Sequence, residues 1–308
     1  MAAKAAVLCP IDFSDSSRGA LRYAVAIARH AGGTLTVLTV LDPLLSEAAE
    51  IELAAGYLPG DTAIEIERFY RATFPEPPEG LTVRFEVAMG KAADEILRVA
   101  REHAFDLVVI ASHGLTGFRK MFFGSTTERV LRESSVPVLV SPGGDPGPVG
   151  PDDARRLVRR LLVSVDLTSA TSLLLEASHR IAATLGVPLL LVHVIEPVRA
   201  MLPSERLRVH SVEGERRARA EREMEALVAT LADVRAEGLL AYGEPAEEIA
   251  KVGRDRDAGL IVLGIHSSLL GPHVGSVTYR VLCLVHKLVL ALPPNATLGR
   301  FLDQSPAG

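Results

Sequence analysis

The chain has no tryptophan and only two cysteines in 308 residues, and its aromatic residues amount to 5% of the total. So few cysteines exclude a disulfide framework. Cys9 and Cys283 lie in apolar strand-like or helix-like runs, where small buried hydrophobes in a reducing compartment are expected. Long apolar runs are missing too. Leu189 to Ile195 falls far short of the ~20 residues a membrane-spanning helix needs, and Val281 to Leu292 is interrupted by His286 and Lys287. The opening MAAKAAVLCPID meets Asp12 before a signal-type apolar stretch could form. A cytoplasmic protein without membrane partners is the expectation. There is no basic surplus either: the net charge of −5 argues against a general nucleic-acid binder.

Several catalytic and binding signatures are also absent. The chain contains no GxxxxGK[ST] P-loop, no GxGxxG fingerprint, no HExxH or Cys/His zinc spacing and no GxSxG elbow. No metal site and no serine-nucleophile site are expected. In the charged run Glu213 to Glu225, acids and bases interleave at i, i+3 and i+4, the pattern of a solvated helix face held by ion pairs.

The composition that remains is 48% hydrophobic and 23% charged, ordinary for a globular protein, with length for two domains of ~150 residues each. The sequence then repeats itself. Residues 5–43 align with 159–197 at a constant offset of 154, so that Asp12 meets Asp166, Ser14 meets Thr168, Gly32 meets Gly186 and Pro43 meets Pro197. Further on, residues 89–114 face 242–267, and GSTTERVL (124–131) faces GSVTYRVL (275–282). A period this long indicates two copies of one domain. The Pro/Gly-rich run from Ser141 to Pro151 separates them, as a segment that neither helix nor strand tolerates. The boundaries read as domain 1 over 1–142, linker 143–156, domain 2 over 157–293 and tail 294–308.

Within the first copy, strands are expected at Ala6–Ile11, Thr34–Leu41, Thr82–Ala88, Leu107–Ile110 and Val136–Val140. Helices are expected at Ser14–Ala31, Ala48–Thr73, Ala92–His103 and Thr126–Glu133. Short strands alternating with helices indicate a parallel-type, five-stranded sheet with helices on both faces. In such sheets ligands bind beyond the carboxyl ends of the strands, where strand order reverses. Asp12, Leu41–Asp42 and Ala111–Gly114 should therefore share one rim.

The most informative stretch is Leu107 to Thr127. An apolar run ends in Ala111-Ser112-His113-Gly114, and nine residues further on Gly124-Ser125 opens a helix. Small residues at a strand-to-helix junction let backbone N–H groups approach an anion, with hydroxyls from Ser125 and Thr127 and the cations Arg119 and Lys120 close in sequence. A phosphate cradle is the reading.

These residues together resemble the universal stress protein family in its tandem two-domain form, over residues 4–142 and 157–293. Its ATP-binding members carry G-x2-G-x9-G-[ST] after the fourth strand and an aspartate ending the first. Here the pattern is Ala111-x2-Gly114-x9-Gly124-Ser125, with Asp12 in place and alanine at the first glycine. Pro10-Ile11-Asp12-Phe13-Ser14 and the closing Ser134-to-Val140 segment are also similar to the family. The resemblance implies two tandem Rossmann-like (adenine nucleotide alpha hydrolase-like) domains. It implies an ATP or ADP site, with or without Mg²⁺, lined by Pro10, Ile11, Asp12, Val40, Ala111, His113, Gly114, Gly124, Ser125, Thr126 and Thr127. Asp12 and Val40 would meet the adenine, and Gly114, Gly124, Ser125 and Thr127 the phosphates. It also implies a pseudo-dimer of the two copies within the chain; a homodimer beyond it is compatible with the sequence but not readable from it.

The second copy departs further. Gly264 restores the first glycine, but Ser267 replaces the second, and only seven residues separate it from Gly275-Ser276, with no Arg or Lys among them. Fewer cations mean less attraction for polyphosphate. Asp166, Val194, Gly264, Gly275, Ser276, Val277 and Thr278 are the residues of this degenerate site. Three functions fit: a nucleotide-binding stress-response regulator using mainly domain 1, a scaffold with both sites vestigial, or a very slow ATPase. No catalytic residues are assigned.

Overall fold

The computed structural model describes residues 4–43, 59–113, 124–148, 157–168, 171–197, 206–265, 276–294 and 296. The chain divides into two compact units, Met1–Leu157 with Leu290–Gly308, and Val158–Val289. The first holds β1 (Ala6–Pro10), α1 (Asp15–His30), β2 (Thr34–Leu41), α2 (Pro59–Thr73), β3 (Thr82–Met89), α3 (Ala92–Glu102), β4 (Leu107–Ala111), α4 (Ser125–Glu133) and β5 (Val138–Ser141). Described residues of the second are β6 (Leu161–Ser164), α5 (Thr171–Leu185), β7 (Leu189–Ile195), α6 (Arg206–Ala229), β8 (Ala236–Tyr242), α7 (Pro245–Asp255), β9 (Leu260–Gly264) and α8 (Ser276–Leu284). The division falls inside β10 (Leu288–Leu292).

Strand order in the first unit is β3-β2-β1-β4-β5. Its registers are parallel, for example Leu8 with Thr36, Leu8 with Val108, and Ile110 with Val140. The second unit repeats the inner order as β9-β6-β7-β8, again parallel. The central strands are mostly apolar because they are covered on both faces: Val7, Leu8, Cys9, Leu35, Leu38 and Val108 are all buried. α1 and α2 meet through Arg18 and Thr73, and α3 and α4 through Arg129 and Asp94, so each pair shares a face, as the right-handed crossover rule predicts.

The local signals act as their chemistry requires. The Ser14 hydroxyl caps α1 by accepting from the Ser17 N–H, and Gly32 follows the helix at φ 52°. Gly186 does the same after α5 at φ 66°. α3 and α4 are held together by Arg129 with Asp94, and α7 and α8 by the equivalent Arg280 with Glu247. In α6 the charged run forms i,i+4 pairs, Arg217–Glu221 and Arg219–Glu223, on an exposed face, as its spacing predicts.

Two expectations change, and one lies partly outside the described residues. Ser141 is not linker: it ends β5 opposite Ala111 and is fully buried, because the strand needs that residue to complete its register. Cys283 is exposed, on the outer face of α8, while Cys9 is buried in β1, where loss of hydration pushes its thiol pKa far up. Of the long helix expected over Ala48–Thr73, the described part is α2; residues 44–58 lie outside the described residues. No helix among the described residues is long and apolar enough to cross a membrane.

Candidate functional site at the carboxyl ends of β1 and β4

Strand order reverses between β1 and β4, which opens a crevice beyond their carboxyl ends. Asp12 stands just past β1. Its Oδ1 accepts from the Ser14 hydroxyl at 2.6 Å, the Ser17 hydroxyl at 2.5 Å and the Ser14 N–H at 3.2 Å, while its own N–H donates to Ser17 Oγ at 3.1 Å. The next residue, Phe13, adopts φ 64°, a left-handed conformation that costs a non-glycine residue about 1–2 kcal/mol. Its ring packs edge-on against Phe69 of α2. Strain of this kind persists only where the surroundings impose it.

The second copy builds the same turn. Asp166 Oδ1 accepts from the Thr168 hydroxyl (2.8 Å), the Thr171 hydroxyl (2.7 Å) and the Thr168 N–H (3.0 Å), and Leu167 sits at φ 59°. A hydroxyl at the second and fifth residues after each aspartate is thus part of the design. Ser17 and Thr171 are the members that motif reading passed over, although the internal alignment places them opposite each other.

Across the crevice, β4 ends at Ala111. The Ser112 N–H donates to the Ser141 carbonyl, and the Ser112 carbonyl accepts from the Gly124 N–H at 3.1 Å. The Thr127 hydroxyl, buried, donates to the Ala111 carbonyl at 2.8 Å. Together these two bonds pin the first turn of α4 against the end of β4. Among the described residues no side chain caps that helix, whose N-cap is Gly124, so its leading N–H groups stand as donors at the positive end of the helix dipole. Gly124 has φ −64°, open to any residue, and a methyl group built on it would lie no closer than 3.5 Å to the Ser112 carbonyl oxygen. Among the described residues the packing gives no reason for glycine there.

Ala111 keeps ordinary strand backbone in register with Ser141, so the methyl group in place of the family's first glycine introduces no strain. Ser112 Oγ and His113 Nδ1 share a hydrogen bond of 2.9 Å. Pro10 ends β1, Ile11 donates its N–H to the Leu38 carbonyl, and Val40 is half-buried near the end of β2. Ser125 is exposed and Thr126 half-buried in the first turn of α4. The fold therefore brings Asp12, Val40, Ala111, His113, Gly124, Ser125, Thr126 and Thr127 to one rim. Gly114, Arg119 and Lys120 lie outside the described residues.

In the second copy the Thr278 hydroxyl reaches the Gly264 carbonyl at 3.4 Å, the same tether drawn looser. Thr39, which donates to the Ile11 carbonyl at 3.2 Å, is replaced by His193, whose Nδ1 meets the Val165 carbonyl at 2.9 Å and so must carry a proton. Val194 lies in β7 and Val277 in α8; Gly275 lies outside the described residues, and of Ser276 only the helical backbone is described. Among the described residues no cluster of three or more His, Cys, Asp or Glu could hold a metal ion.

A sequence profile of the universal stress protein family matches the chain twice, over residues 5–142 and 158–293. The chain belongs to the universal stress protein family. Shorter members are similar to it over somewhat less than half its length. Universal stress protein MJ0577 of Methanocaldococcus jannaschii is 26% identical over 149 residues, 44% of this chain and 92% of that protein. Universal stress protein YxiE of Bacillus subtilis is 29% identical over 143 residues, 44% of this chain and 96% of that protein. The crystal structure of a universal stress protein from Archaeoglobus fulgidus covers 94% of this chain and 98% of its own, at 21% identity and a TM-score of 0.60. That last likeness establishes the tandem universal stress protein fold along nearly the whole chain.

Proposed function

We propose that this universal stress protein is a cytoplasmic stress-response regulator that binds ATP or ADP in its first copy. The observation that carries the reading is Gly124. It opens α4 without a side-chain cap, in a conformation and a space that would both accept a larger residue. A glycine that the packing of the described residues does not need suits close approach by a ligand. The N–H groups of Ser125 to Thr127 and the Ser125 hydroxyl would hold phosphate, as at other helix N-termini. Asp12, presented by its strained turn, and Val40 would meet the adenine end. Thr127 contributes through its backbone N–H, because its hydroxyl proton is engaged by Ala111. The looser Thr278 tether and a loop without Arg or Lys support a silent second copy.

The reading is one of binding rather than turnover, since no group beside the phosphate end is assigned as a base or a water-positioning residue. Mass spectrometry of the small molecules released from protein purified without added nucleotide should find ATP or ADP at about one per chain. Gly124→Ala should fold like the parent and retain far less, because its methyl group fits the protein but occupies the approach to the helix terminus. If nothing is released and ATP gives no calorimetric signal at millimolar concentration, the reading fails and the scaffold alternative takes its place.

A further inference from the structure

The segment that follows β5 does not leave the first unit at once. It crosses α1 at Gly19, where a methyl group would lie 2.0 Å from the Asp145 carbonyl oxygen. Glycine is the poorest helix former after proline, yet it sits inside a helix here because the chain passes through the place a side chain would fill. Gly147 completes the crossing at φ 73°, with a methyl group there 2.7 Å from the Gly19 carbonyl oxygen and 2.9 Å from Arg22 Cβ. The buried Tyr23 hydroxyl donates to Asp145 Oδ2 at 2.8 Å, the Gly147 N–H donates to Asp145 Oδ1 at 2.9 Å, and Arg22 Nη1 donates to the Pro146 carbonyl at 2.9 Å. The other end of the segment lies on the candidate site. A methyl group on Gly143 would be 3.0 Å from His113 Nδ1 and 3.4 Å from Ser112 Oγ. A side chain at 143 would therefore crowd the His113 ring, so the segment runs directly beside it.

We infer that Pro142 to Gly147 form a strap that couples occupancy of the nucleotide site to the chain leading into the second copy. The docked strap runs beside Ser112 and His113 at the rim of the site, and in this proposal nucleotide binds the strapped state more tightly. By reciprocity nucleotide holds the strap down. The inference rests on the nucleotide reading above. The strap would be the element through which a bound nucleotide alters what the rest of the chain presents to its partners.

The experiment uses the full chain. Peptide-resolved hydrogen exchange follows the amides of Gly143, Gly144, Asp145 and Gly147 with and without ATP, and calorimetry measures ATP affinity. Wild type should show exchange at the strap slowed by ATP. Gly19→Ala, which improves the helix but blocks the crossing, should expose the strap and weaken ATP binding about fivefold or more. Tyr23→Phe keeps the ring and should shift both readouts in the same direction by less, which guards against misfolding of Gly19→Ala. If wild type binds ATP and both variants free the strap with unchanged affinity, the coupling is overturned while the nucleotide reading stands. If wild type binds no ATP, the nucleotide reading fails and the coupling falls with it.

Discussion

The two copies contain the same tether at different lengths, which allows one hydrogen bond to be weighed against its own internal control. In the first copy the buried Thr127 hydroxyl donates to the Ala111 carbonyl at 2.8 Å; in the second Thr278 meets Gly264 at 3.4 Å. Thr127→Val keeps the branched shape and removes only the donor, leaving a carbonyl partly unsatisfied in a buried place. Such a loss costs about 1–3 kcal/mol. Thr278→Val removes a bond already near the limit of useful geometry, so its cost should be about 0.5 kcal/mol or less. Native-state hydrogen exchange resolved by peptide reports each copy separately. Thr127→Val should raise exchange in β4 and α4 by about 5–150-fold, corresponding to about 1–3 kcal/mol. Thr278→Val should change β9 and α8 by about twofold. An equal or larger effect from Thr278→Val would refute the assignment of Thr127 as the bond that pins α4 to β4.

Two further outcomes follow from the same geometry. Ala111→Gly, which restores the family's glycine, should destabilise β4 by about 0.5–1 kcal/mol in denaturant titrations without improving ATP affinity, because this position has ordinary strand backbone; a tenfold gain in affinity would show that the methyl group obstructs the ligand. Burial, followed by its hydrogen bond to Asp145, raises the Tyr23 pKa above its unfolded value. Its contribution to stability is therefore complete below about pH 10, the ordinary phenol value, and is lost as pH rises from there. Stability against pH should fall on the alkaline side in wild type and less steeply in Tyr23→Phe.

Much of the site was legible because topology places strand ends even when the contacts themselves cannot be read. Period-two and period-3.6 patterns located the strands and helices, and the reversal of strand order brought Asp12 and Ala111 together across 99 positions of sequence. The hydroxyl pair around each aspartate was half legible: Ser14 and Thr168 align, but the roles of Ser17 and Thr171 depend on a turn whose φ values are settled only in three dimensions. Cys283 was misjudged for a related reason. An apolar helical run does not say which of its small residues faces outward.

Sequence alone determined the duplication, the parallel α/β plan and the family, and it singled out the rim proposed to hold a ligand, because each is carried by local periodicity or by motif spacing within one copy. Tertiary structure decided how the groups are used. It directed the Thr127 proton to Ala111, left Gly124 as a glycine the packing of the described residues does not require, and laid the segment after β5 across Gly19 instead of releasing it as a linker. Tyr23 and Asp145 stand 122 residues apart. Nothing local in the chain registers such a contact: it exists only once helix and strap compete for the same few ångströms and a hydrogen atom is all that fits between them.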